Sequence, residues 1–195
     1  NPNYSGHHGN TVRYCLSVND NGGRSTMAVG SCGEHEFNFY NNTIINSAEF
    51  HFKNMYNSYV ANNIFVMQDG CTIAYDLDNA LRGNVFENNC YYNVMSPVID
   101  LGSLNVNPGF AGDNTSDIKS YELSADSPLV GGGAKIDDGL TTDFFGNEIT
   151  SSNIGCYSGD GVETEYPEET SNEFLFRILK NIIQTLIHEI MGLFD

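Results

Sequence analysis

Val60-Ala61-Asn62-Asn63-Ile64-Phe65-Val66-Met67 sets two β-rich runs on either side of an asparagine pair. The same shape occurs upstream in Phe39-Tyr40-Asn41-Asn42-Thr43-Ile44-Ile45-Asn46 and downstream in Phe86-Glu87-Asn88-Asn89-Cys90-Tyr91-Tyr92-Asn93. A degenerate copy, Val12-Arg13-Tyr14-Cys15-Leu16-Ser17-Val18-Asn19, precedes them. The frames start at 12, 39, 60 and 86, so they are 27, 21 and 26 residues apart, a spacing that indicates stacked units. A short β-rich run, a polar corner and a second β-rich run read as strand, bend, strand. Asparagine suits the corner because it tolerates left-handed backbone angles.

If each frame is one revolution of a coil, the asparagines stack, their amides hydrogen-bond along the stack, and their apolar neighbours fill a continuous core. Uneven spacing fits a coil, since loops at the other corners can differ in length. The competing reading is a β-sandwich with asparagine-rich turns.

Composition narrows the function classes. The chain has 195 residues, a net charge of −17 and eight Lys plus Arg, so its field repels polyanions and nucleic-acid binding is not expected. Cys15, Cys32, Cys71, Cys90 and Cys156 show no zinc-type spacing, and mostly free, inert thiols are expected, one disulfide remaining open. The start at Asn1, without a signal peptide, reads as a fragment or part of a larger protein. The pair His7-His8 lies in an entry loop, where a metal or a sugar is a less common role than a plain surface one.

The asparagine frames, together with Arg13-Tyr14 through Asn19-Asp20, resemble the right-handed parallel β-helix of pectate-lyase-like carbohydrate enzymes. The ending adds to the likeness. Asn107-Pro108-Gly109-Phe110, Tyr121 to Gly131 with Ser127-Pro128, Asp143-Phe144-Phe145-Gly146-Asn147 and Ile154-Gly155-Cys156-Tyr157 follow the order of closing segments in secreted bacterial β-helix proteins. The resemblance covers residues 9–160 and implies an all-β fold of about five turns, extracellular and bacterial in type. Leu129, Val130 and Ile154 are expected to cover the open end of the coil.

The expected organisation is a β-helix domain over 1–160, an acidic linker over 161–172, and an amphipathic helix over 173–195. Ser171-Asn172 offers the helix N-cap; Phe174, Ile178, Ile182, Leu186 and Ile190 lie on one arc, with Arg177, Lys180 and His188 opposite. The polar arc argues against a membrane span. Covering the coil, pairing with an upstream domain or partner subunit, or lying on a membrane surface are the three readings, and the scarcity of cations disfavours the last.

In the resembled fold each turn has three strands, and the asparagine corner joins the second to the third. The first strands would then be Ser25–Gly30, Glu49–Lys53, Cys71–Asp76 and Pro97–Asp100. With Met27, Val29, Phe50, Phe52 and Ile73 inside, alternation turns His51, Lys53, Thr72, Asp76 and Asp100 outward, on turns about 5 Å apart. A one-residue slip would reverse that assignment. The resemblance implies a glycan groove on this face. Glycoside hydrolysis needs paired carboxylates; Asp76 and Asp100 are the candidates, with Asp20 beside them. Arg24, His51, Lys53 and Tyr75 are candidate substrate contacts, His51 or Lys53 alternatively serving as a base. The expected function is hydrolysis of an oligo- or polysaccharide. A lyase, which would bring in a cation such as Ca²⁺, comes second, because uronate substrates need more cationic contacts than eight Lys plus Arg readily supply. No other cofactor is expected. A non-catalytic adhesin and one subunit of a split glycosidase are the rivals from other classes.

Overall fold

The computed structural model describes residues 7–19, 26–29, 34–46, 49–68, 70–76 and 82–164. The chain divides into two compact units, Asn1–Glu163 and Thr164–Asp195. The expected helix over 173–195 lies outside the described residues, as do Asp20, Arg24 and Cys32.

Unit Asn1–Glu163 is almost entirely β. The strands follow one another in passes. The first pass contains β1 (His7–His8), β2 (Thr11–Arg13), β3 (Leu16–Val18) and β4 (Thr26–Val29). The second contains β5 (Glu34–His35), β6 (Asn38–Tyr40), β7 (Thr43–Asn46) and β8 (Glu49–Phe52). The third contains β9 (Met55–Tyr56), β10 (Tyr59–Ala61), β11 (Ile64–Met67) and β12 (Ile73–Tyr75), and β13 (Val85–Glu87) and β14 (Cys90–Tyr92) begin a fourth. Corresponding strands of successive passes pair in parallel, giving four sheets: A (β1-β5-β9), B (β2-β6-β10-β13), C (β3-β7-β11-β14) and D (β4-β8-β12). Leu101 and Leu104 extend B and C by single parallel bridges to Glu87 and Cys90.

The sequence frames coincide with the observed register. Val12, Phe39, Val60 and Phe86 stand opposite one another in sheet B. Between B and C the chain turns at Tyr14, Asn41, Asn62 and Asn88, all at φ of 49 to 54°. In this left-handed region a short amide side chain is better tolerated than a bulky one. Sheet A, with two residues per strand, is absent from the three-strand expectation. It fits between the D strands and a second positive-φ corner at Gly9, Glu36, Asn57 and Gly83.

At the B–C corner the two asparagines of each pair divide their work. The second of each pair faces inward and is fully buried. Asn42 Nδ2 donates to Asn63 Oδ1 at 3.0 Å, and Asn63 Nδ2 donates to Asn89 Oδ1 at 2.8 Å. The backbone amides of Cys15, Asn42 and Asn63 donate to the Oδ1 of Asn42, Asn63 and Asn89 at 3.1, 3.0 and 2.9 Å. The corner therefore leaves few polar groups unmatched in a dry place, where each orphan would cost about 1–3 kcal/mol.

The first asparagine of each pair faces the other way and docks the segment 132–155. Asn41 Nδ2 donates to the carbonyls of Asn153 and Gly155 at 2.8 and 3.3 Å. Asn62 donates to Ala134 O and accepts from Ala134 N, both at 2.8 Å, and Asn88 Nδ2 donates to Gly132 O at 3.3 Å. Gly155 completes the fit: its φ is +97°, and a Cβ there would stand 2.4 Å from Ile64 Cδ1.

Two apolar clusters result. Phe37, Phe39, Phe50, Phe52, Phe65, Phe86 and Tyr91 fill the space between the sheets. Ile64, Cys90, Leu123, Leu129, Ile154 and Tyr157 form a second cluster on the opposite side of sheet C. Leu129 and Ile154 thus cover the flank of sheet C, where the sequence suggested the end of the stack. Sheet C packs apolar side chains on both faces for this reason, and β11 reads as an unbroken apolar run. Cys15, Cys71, Cys90 and Cys156 are free thiols. Burial pushes the Cys90 thiol up to about 11 and Cys156 up to about 12, which holds both in the unreactive form.

Candidate functional site

Sheet D presents the face on which the sequence places its chemistry. Phe50 and Phe52 are fully buried, so alternation turns Glu49, His51 and Lys53 to the other side. In the next pass Ile73 is buried and Thr72, Ala74 and Asp76 share that outer side. His51 pairs in register with Ala74, whose methyl leaves room for the imidazole to lean toward Asp76. His51 Nε2 and Asp76 Oδ1 are 2.8 Å apart, with 19% and 38% of the two side chains exposed. Thr72 Oγ1 donates to Glu49 Oε2 at 3.3 Å.

This arrangement has chemical capability. When the proton sits on Nε2, the imidazole donates to Asp76 and Nδ1 is the basic nitrogen. Asp76 then orients the ring and stabilises it if it takes up a second proton. Glu49 stands two residues before His51 on the same side of the same strand, and Lys53 two residues after. One short strip therefore carries a carboxyl, an oriented imidazole and an ammonium.

Two expected members are elsewhere. Pro97–Asp100 forms no strand in sheet D; the chain there leads into the bridges of Leu101 and Leu104. Asp100 turns toward the asparagine column, where its Oδ2 accepts from Asn89 Nδ2 at 2.7 Å and from Tyr91 OH at 2.8 Å. Its Oδ1 is buried without a hydrogen-bond partner, and burial raises its carboxyl above the ordinary 3.8. Asp76 and Asp100 therefore do not form a side-by-side pair on the outer face. Tyr75 is no outward platform either. It alternates inward, packs edge-on against Phe86 with ring centroids 5.5 Å apart, and accepts from Asn84 Nδ2 at 3.0 Å.

Sequence reasoning missed two groups. Glu49 was within reach, because the parity that turns His51 outward turns Glu49 outward too. The other group was not. Asp138 Oδ2 accepts from Arg13 Nη1 at 2.5 Å and from Tyr40 OH, and its Oδ1 accepts from Leu140 N at 2.9 Å. These donors together outweigh desolvation and hold the Asp138 carboxyl below the ordinary carboxylate range. Arg13 and Asp138 are 125 residues apart, and no local pattern links them.

Among the described residues no three His, Cys, Asp or Glu side chains converge to hold a metal ion, and no helix is long and apolar enough to cross a membrane. The chain matches no protein-family model, and no curated protein matches it.

Proposed function

We propose that the chain is a right-handed parallel β-helix and that the outer face of sheet D acts on a glycan by hydrolysis. The observation that carries this reading is the 2.8 Å contact between His51 and Asp76 on a strip that also bears Glu49. In this reading the imidazole, oriented by Asp76, takes a proton from water, and Glu49 gives a proton to the departing sugar oxygen. Side chains two apart on a strand are separated by about 7 Å. That lies within the roughly 6.5–9.5 Å that inverting hydrolases keep between their acid and base. The strongly negative chain favours a neutral glycan over a polyuronate.

Elimination is the second reading, and Lys53 favours it. An ammonium on the strip beside an oriented base suits proton abstraction next to a uronate carboxylate. Both readings are tested by incubating the protein with neutral and uronate polysaccharides and separating the products. Hydrolysis releases new reducing ends with no unsaturated sugar; elimination leaves an unsaturated, ultraviolet-absorbing end. Glu49→Gln and His51→Ala should each lower kcat by about 10²–10⁴-fold. Retention of glycan with no product from any substrate would remove the catalytic claim and leave binding.

A further inference from the structure

A cavity of about 340 Å³ lies at the B–C corner, between the turn residues and the segment 134–152. Tyr14, Lys135, Asp137, Asp138, Thr150 and Ser152 are among its lining residues. This volume is at the lower end of ordinary small-ligand sites, which run from about 300 to 1,000 Å³.

Its walls are built. Asn62 clasps Ala134 through both its amide atoms, and Gly133 N donates to Ser152 O at 2.7 Å. Asp138 is held by Arg13, Tyr40 and its own loop backbone. Arg13 and Tyr40 therefore act as positioning residues for the rim. The floor holds an anomaly. In the three later passes the corner residue is asparagine, which the backbone angle suits; in the first it is Tyr14, at φ 49°. A large aromatic held in the left-handed region points to a demand on the side chain. Tyr14 is one of the residues that line the cavity, and its side chain also lies beside Ser158.

We propose that this cavity is a second binding site, separate from the sheet D face, that takes one neutral sugar ring or a polyol of that size. The tyrosine ring, with aliphatic Leu140 and Ile149, suits the C–H face of such a ligand. Hydroxyls, carboxylates and an ammonium around it suit many hydroxyl groups that both donate and accept. Lys135 opposes the binding of a cation, and the chain's −17 charge opposes an anion. The choice of a sugar over other neutral polyols rests on the glycan reading above; the existence of the site does not.

The test is a titration of the whole chain, followed by amide chemical shifts, with neutral hexoses and pentoses, linear polyols, a uronic acid and a hexosamine at tens of millimolar. Saturable shifts at Tyr14, Lys135–Leu140 and Ile149–Ser152 with the neutral ligands are expected. Tyr14→Asn supplies the residue used at the other corners, so the fold should keep or raise its Tm while affinity falls about tenfold. His51→Ala should leave this binding intact, which separates the site from the sheet D reading. If polyols bind and sugars do not, the choice of a sugar for this cavity fails while the site itself stands. No saturable shift with any ligand, shifts confined to the sheet D face, or unchanged affinity in Tyr14→Asn would overturn the proposal.

Discussion

Asn63 and His51 are polar side chains on neighbouring sheets of one stack, and their surroundings are opposite. Asn63 is fully buried, with its amide oxygen and nitrogen both matched. His51 is half-buried, its contact with Asp76 standing on an outer face. Buried amides have no freedom to move and serve geometry. A partly solvated imidazole can exchange protons with a substrate and with water. The difference teaches that side-chain chemistry alone does not separate scaffold from site; the number of partners and access to solvent do.

The sharpest way to break the comparison is Asn63→Ala. It takes the acceptor from the Asn42 backbone amide and removes the side-chain links to Asn42, Phe39 O and Asn89 in a dry corner, while Asn42 Nδ2 keeps the carbonyls of Val12 and Tyr40. A loss of about 3–5 kcal/mol is expected in denaturant unfolding. A loss below 1 kcal/mol would mean that the column is not what registers the sheets. Asn62→Ala should cost less, about 1–3 kcal/mol, because two bonds to Ala134 go and the residue sits at positive φ. Hydrogen exchange should quicken at Gly133 and Ala134 before it quickens in sheet B.

Asp100 sharpens the comparison through pH. Its folded value lies above 3.8, so folding favours the protonated form. The group supports the native state most below 3.8, and that support is lost as pH rises through the folded value. Asp100→Asn removes the titration. Its stability relative to the unsubstituted protein should therefore climb across that window and level off above it. A flat difference from pH 3 to pH 7 would show that Asp100 is not buried as described. The smallest stability effect belongs to His51→Ala, within about 0.5 kcal/mol, although on the proposed hydrolysis it should lower kcat by about 10²–10⁴-fold. A large fall in Tm would move His51 to the scaffold side.

The scaffold was more legible in the sequence than the site, for a physical reason. An asparagine pair that must serve one corner in each pass leaves the same signature at 41–42, 62–63 and 88–89. Strand alternation then places Phe50, Phe52 and Ile73 inside and His51 outside. The same logic failed at Asp100 because Pro97–Asp100 never joins sheet D, and it mistook Tyr75 because an aromatic residue suits either face. The two-residue strands of sheet A are too short to carry a period. The docking partners of Asn41 and Asn62 come from residues 72 to 114 positions away, a distance over which no local pattern operates.

The asparagine column also has a polarity. Every link runs the same way, each amide nitrogen giving to the oxygen of the next pass, from Asn42 to Asn63 to Asn89. Aligned dipoles of this kind leave a positive pole, and the last donor meets the carboxylate of Asp100. An ionised carboxylate accepts and has nothing to hand on. The column therefore carries its own terminus, a punctuation mark that discourages a neighbouring molecule from continuing the file.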